Sequence, residues 1–189
     1  MNSKKVVVIS LGGSLIIPDK INIELLQDFK EVLLKNKDKY RFVVVCGGGK
    51  TARNYIEGID KINLFRKEYF QCQIGISATR LNARFLTYFF KKDANYGIPH
   101  SMIDVKNSLI KNNIVFCGAL RQGKRETSDS TAARLARFLE SEFINLTNIT
   151  GVYDVDPSKY KDAEFIPEIS YKDFYKKAKK IKFKPGQHF

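Results

Sequence analysis

The sequence predicts an α/β fold built on a parallel sheet, and three observations carry the prediction. Apolar runs of strand length alternate along the chain with longer stretches of helical periodicity, the signature of βα units. The strand-like runs are apolar throughout rather than at every second residue, as strands covered on both faces are. Glycine-rich or polar turns follow these runs at Leu11 to Ser14, Cys46 to Lys50, Cys117 to Ser130 and Leu146 to Pro157. A parallel sheet gathers such turns along one edge, where ligands bind.

Val6 to Leu11 reads as the first strand, and Ile23 to Leu34 as a helix with Leu25, Leu26, Phe29, Val32 and Leu33 on one face. Phe42 to Cys46 is the second strand; the glycine turn after it opens a helix carrying Ala52, Tyr55, Ile56 and Ile59. Ala78 to Phe90 reads as a helix, but Leu81, Phe85, Leu86, Tyr88, Phe89 and Phe90 cover more than one side of it. A helix apolar on two sides lies between layers or in a subunit contact, so a homodimer contact is expected here. Ile114 to Cys117 is the third strand, Thr131 to Glu140 a helix with Ala132, Leu135, Ala136 and Leu139 inward, and Phe143 to Leu146 the fourth strand. With no internal repeat, low-complexity stretch or linker, residues 1–189 read as a single domain.

No apolar run approaches the roughly 20 residues of a membrane span. Lys4 and Lys5 lead directly into a strand rather than a signal peptide, so a cytoplasmic protein is expected. Cys46, Cys72 and Cys117 have no disulfide or metal-type spacing; Cys46 and Cys117 close apolar strands, where a free thiol packs as a small hydrophobe. The formal net charge of +13 raises the question of nucleic acid, and Lys176 to Lys184 is the densest basic run. That run carries little arginine and no clustered aromatics for base stacking, which favours a solvated lysine-rich face over a nucleic-acid partner. A basic surface also suits a phosphate-rich small substrate.

The stretch VVVCGGGKTARNYI, Val43 to Ile56, resembles a P-loop at first sight. The P-loop pattern needs a glycine where Val44 stands, inside the strand, so half of the phosphate cradle is missing. A dinucleotide fingerprint fails as well, because no glycine follows Gly49 until Gly58. What remains is a buried strand ending in bare backbone at a helix N-terminus, which attracts an anion.

The ordered set LGGS, GGGKTARNYI, GISATRLNA (Gly75 to Ala83), TSDSTAA (Thr127 to Ala133), TNITGVYDVDP (Thr147 to Pro157) and PGQHF (Pro185 to Phe189) resembles the amino acid kinase family, and within it the archaeal-type UMP kinase branch. The resemblance implies a three-layer αβα sandwich with a mostly parallel central sheet. It also implies transfer of the ATP γ-phosphate to UMP, with Mg²⁺ on the ATP phosphates. Carried over by motif, Gly12, Gly13 and Ser14 would contact the transferring phosphate through backbone amides. Gly48, Gly49 and Arg53 would hold the UMP phosphate, with Thr127 and Ser128 near the acceptor. Thr147, Asn148, Tyr153 and Asp156 would line the adenosine part of ATP. A homo-oligomer built from dimers, up to a hexamer, is implied as well.

The chain departs from the pattern in several places. Ser10 stands where many members carry a catalytic lysine, and Cys72 where an aspartate would bind the uridine ribose. Thr150 takes an acidic position, and the segment before TSDS is longer and more basic than usual. The family pattern continues beyond PGQHF with a transfer-linked aspartate and further elements, whereas this sequence ends at Phe189. The expectation is a separate C-terminal polypeptide, or a truncation, with little activity and marginal stability for the chain alone. The alternatives to UMP kinase activity are another phosphate or carboxylate acceptor on the same fold, and a non-catalytic or split-enzyme nucleotide-binding subunit.

Overall fold

The computed structural model describes residues 4–121, 127–157 and 159–179. Four strands, β1 (Lys5–Leu11), β2 (Tyr40–Cys46), β3 (Ile114–Cys117) and β4 (Glu142–Leu146), form one sheet in the order β3-β2-β1-β4. Every pairing is parallel: Val7 lies opposite Phe42 and Glu142, and Phe42 opposite Ile114. The fold class read from the sequence is therefore the one observed.

Period-two packing explains why the buried stretches of β1, β2 and β3 are apolar on both faces. On one face Val7, Ile9, Leu11, Phe42, Val44, Cys46, Ile114 and Phe116 form a core with Leu26 and Leu33 of α2 (Ile23–Asn36) and Leu86 and Phe90 of α4 (Lys67–Phe90). On the other face Val8, Val43, Val45, Val115 and Cys117 pack against Val105 and Leu109 of α5 (Met102–Lys111) and Ala132, Leu135 and Ala136 of α6 (Ser128–Phe138). Helices thus cover both faces, giving three layers. Each fully buried valine or leucine contributes about 1.5–3 kcal/mol. The rings of Phe90 and Phe116 meet edge to face at 4.7 Å across the first core.

Two short elements fill the turns: α1 (Gly13–Ile16) directly after β1, and α3 (Gly49–Asp60) directly after β2. After β4 the chain forms a small antiparallel hairpin, β5 (Val152–Tyr153) with β6 (Phe165–Ile166), and then α7 (Tyr171–Ala178). No described helix is long and apolar enough to cross a membrane.

The structure corrects three expectations. The helix expected from Ala78 begins at Lys67, because Gly75 sits inside it; one glycine costs a helix about 1 kcal/mol, which does not end a helix packed lengthwise on α3. The apolar residues thought too numerous for one core are mostly covered within the chain. Leu86 and Phe90 are fully buried and Phe85 and Phe89 pack against the same cluster, which leaves Leu81 and Tyr88 exposed. Val32, placed on the inner face of α2, points outward instead. Helix α5 had no counterpart in the sequence reading, although its capping box, Ser101 with Asp104, is legible as S-x-x-D.

Candidate active site

All four strands run in the same direction, so the four turns following them share one edge of the sheet. The first two are in backbone contact. A Cβ on Gly13 would lie 2.0 Å from the Gly49 nitrogen and 2.7 Å from that of Gly48, and a Cβ on Gly47 would lie 2.3 Å from the Gly13 nitrogen. No side chain fits in that seam. Gly49 also has φ of +61°, a conformation that glycine adopts without penalty.

Backbone hydrogen bonds fix these turns. The Gly47 amide donates to the Leu11 carbonyl at 2.9 Å and the Lys50 amide to the Ile17 carbonyl at 3.0 Å. The Gly12 amide donates to the Leu146 carbonyl at 3.0 Å, which ties the first turn to the end of β4 beside Thr147. Gly12 was expected to offer its amide to a phosphate. That N–H is engaged by Leu146, whereas Gly13 and Ser14 open α1, where amides have no acceptor within the helix. Gly48 and Gly49 stand at the N-cap and first position of α3, where amides have no acceptor within the helix. Arg53 lies one turn further along, half-buried.

The α6 end joins the same edge. Thr127 is its N-cap, its hydroxyl accepting from the Ser130 amide at 3.2 Å in a capping box, and Ser128 is the first helical residue. The Ser10 hydroxyl, fully buried at the end of β1, donates to the Asp129 carboxylate. The position expected to lack a lysine is thus occupied by a hydroxyl that anchors the head of α6. Asp129 received no role in the sequence reading; its signal was its place in TSDS.

The residues expected around adenosine are more loosely held. Thr147 and Asn148 are exposed, the Tyr153 ring packs edge-on against Phe165 at 5.6 Å, and the exposed Asp156 pairs with Lys159 at 2.9 Å. Only Thr147 is tied directly to the glycine turns, through the contact of Gly12 with the end of β4.

The three cysteines are free. Cys46 and Cys117, at the ends of β2 and β3, are fully buried, and burial pushes the Cys117 thiol up to about 12 and that of Cys46 well above its ordinary value. Both are packing groups, as expected. Cys72, half-buried on α4, has its thiol pushed up by burial and then by the charge of Glu68. The PGQHF motif and most of the basic segment before Thr127 lie outside the described residues.

Comparison with known proteins agrees with this geometry. The family model described as amino acid kinase family matches residues 5–186. A uridylate kinase of Thermoplasma volcanium is 39% identical over 168 residues, which cover 88% of this chain and 71% of that protein. A uridylate kinase of Methanocaldococcus jannaschii is 34% identical over 183 residues, covering 95% of this chain and 79% of that protein. The crystal structure of uridylate kinase from Archaeoglobus fulgidus superposes with a TM-score of 0.73 at 34% identity, over 84% of this chain and 71% of that one. UMP kinase from Ureaplasma parvum, at 23% identity and a TM-score of 0.74, shares the fold. With these matches and a parallel sheet whose glycine turns meet at its carboxyl edge, the chain belongs to the amino acid kinase family.

Proposed function

We infer that this chain is a UMP kinase, transferring the γ-phosphate of ATP to UMP to give UDP and ADP. The observation that carries the reading is the backbone seam of Gly13 with Gly47, Gly48 and Gly49, because it places two amide-rich turns side by side at the ligand edge. One turn would hold the phosphate being transferred and the other the phosphate receiving it. In-line transfer requires little covalent chemistry from the protein; it requires two anionic groups held close and their charge offset.

In this reading the amides of Gly13 and Ser14 face the γ-phosphate, and Gly12 sets their position through its bond to Leu146. Gly48, Gly49 and the Arg53 guanidinium hold the UMP phosphate, and Thr127 and Ser128 present the head of α6 to the acceptor. Thr147, Asn148, Tyr153 and Asp156 line the adenosine side. Mg²⁺ would be carried on the ATP phosphates, whose charge it neutralises. The free thiols and the ATP requirement favour the cytoplasm. The exposed Leu81 and Tyr88 on α4 are the surface we assign to a homodimer contact, and sedimentation as a monomer at dilution would remove that assignment.

The test is ADP formation with UMP, CMP, an isoprenoid phosphate and a carboxylate acceptor, each with ATP and Mg²⁺, with and without a polypeptide matching the remaining C-terminal part of the relatives. Turnover with UMP well above the others supports the reading. A second acceptor is favoured by one observation, Cys72: a neutral thiol does not accept from ribose hydroxyls as a carboxylate does. Preference for a non-nucleoside phosphate would establish that alternative.

A further inference from the structure

We propose that Thr79 and Asn82 of α4 are positioning residues for the acceptor, holding two loops of the site at a fixed separation from a single helix face. The proposal rests on the reading of the Gly47–Gly49 turn as the acceptor-phosphate site. The two residues are three apart, so they project from the same side of α4, and both are buried, at 8% and 2% exposure. Buried polar side chains at such positions are retained for the bonds they make.

Each bond goes to a different loop. The Asn82 side-chain amide donates to the Gly47 carbonyl at 2.7 Å, fixing the peptide that leads into Gly48 and Gly49. The Thr79 hydroxyl accepts from the Ala119 amide at 2.9 Å and donates to the Ile76 carbonyl at 2.7 Å, so both its hydrogen-bonding roles are used. The Arg80 guanidinium donates to the Ala119 carbonyl at 3.1 Å, closing the clamp on that residue. Ala119 follows β3 in the turn that leads towards Thr127 and Ser128. Gly118 makes the approach feasible, because a Cβ there would lie 2.6 Å from the Thr79 oxygen and the Arg80 nitrogen. Thr79 also reaches the first loop, since a Cβ on Gly48 would meet its methyl at 3.7 Å. Helix α4 thereby fixes the gap between the turn that holds the acceptor phosphate and the turn leading to the head of α6. None of these groups need touch the substrate.

Thr79→Val removes the hydroxyl at constant shape, Thr79→Ser keeps it, and Asn82→Leu removes the donor at similar volume. Steady-state kinetics with UMP and ATP varied separately are read together with amide hydrogen exchange of the ligand-free proteins. For Thr79→Val and Asn82→Leu we expect the KM for UMP to rise about tenfold while that for ATP stays within about twofold, and Thr79→Ser to return it towards the original value. Exchange should quicken at 118–120 in Thr79→Val and at 47–50 in Asn82→Leu, with the strands unchanged. Equal rises in both KM values, or faster exchange throughout the sheet, would reduce these residues to ordinary core and overturn the proposal, as would unchanged kinetics and exchange. Should the unaltered chain show no UMP-dependent turnover even with the C-terminal polypeptide added, the functional reading fails, and the exchange data alone decide whether α4 positions the two loops.

Discussion

Gly13, Gly47 and Gly49 meet backbone to backbone between buried strands, whereas Thr147, Asn148 and Asp156 stand exposed on the segment after β4. The first region is sealed by hydrogen bonds to Leu11, Ile17 and Leu146 and backed by α4. The second adds no residue to either buried cluster; among the described residues, buried apolar side chains end at Ala136. The two sheet edges repeat the contrast. At β3 the Asn95 side chain bonds both the amide and the carbonyl of Phe116, at 2.7 and 3.0 Å, doing the work of a further strand. At β4 the residues from Glu142 to Asn145 are exposed, Phe143 and Ile144 included. In the proposed site, the acceptor end is therefore preformed, and substitutions there act on folding as well as on binding. At the adenosine end they act on binding alone.

Breaking the preformed end should cost the most. Gly13→Ala would place a methyl 2.0 Å from backbone nitrogen, which no rotamer change relieves, so the two turns must separate. We expect a loss of stability of about 3 kcal/mol or more, seen as a lower urea midpoint, together with loss of turnover. Gly58→Ala supplies the contrast: nothing lies within 4 Å of its Cβ position, and α3 should gain up to about 1 kcal/mol. Equal outcomes for the two glycines would mean that the seam is not tight.

Next in size is Arg53→Ala. A hydrogen bond to a charged group is worth about 1.5–3 kcal/mol, so the KM for UMP should rise roughly 10- to 150-fold with that for ATP nearly constant. Parallel losses for both nucleotides would place Arg53 between the two ends rather than at one.

How much of this was legible beforehand follows the same division. The strands β1 to β3 were readable because burial on both sides leaves apolar runs such as Val6 to Ile9, and the inner faces of α2 and α6 were readable from their periodicity, Val32 excepted. The glycine turns were readable because motif order placed them. The sequence did not reveal which of the two glycines ties the turn to β4: Gly12 and Gly13 are identical residues, and the Gly12 amide is the one that bonds Leu146. Nor did it reveal that Thr79 and Asn82 serve loops about 40 positions away in one case and 35 in the other, since such pairings exist only once the sheet is assembled. The over-counting of apolar residues on α4 has a similar cause. Periodicity registers which side chains are apolar but not that Phe29 and Phe116 wait on either side of Phe90.

The smallest expected effect tests the loosely built end. Asp156 is exposed and its pair with Lys159 spans three residues of one loop, an arrangement whose contribution to stability is about 0–1 kcal/mol and falls with salt. Asp156→Ala should therefore leave the melting temperature within a degree or two. If Asp156 lines the adenosine side, the KM for ATP should still rise by a few fold, the worth of one exposed polar contact, while that for UMP does not move. Adding a nonhydrolysable ATP analogue should raise the melting temperature of the parent chain more than that of Asp156→Ala, because ligand stabilisation follows affinity at fixed concentration. A drop in melting temperature without ligand, matched to that of the core substitutions, would show that the segment after β4 is as tightly built as the glycine seam.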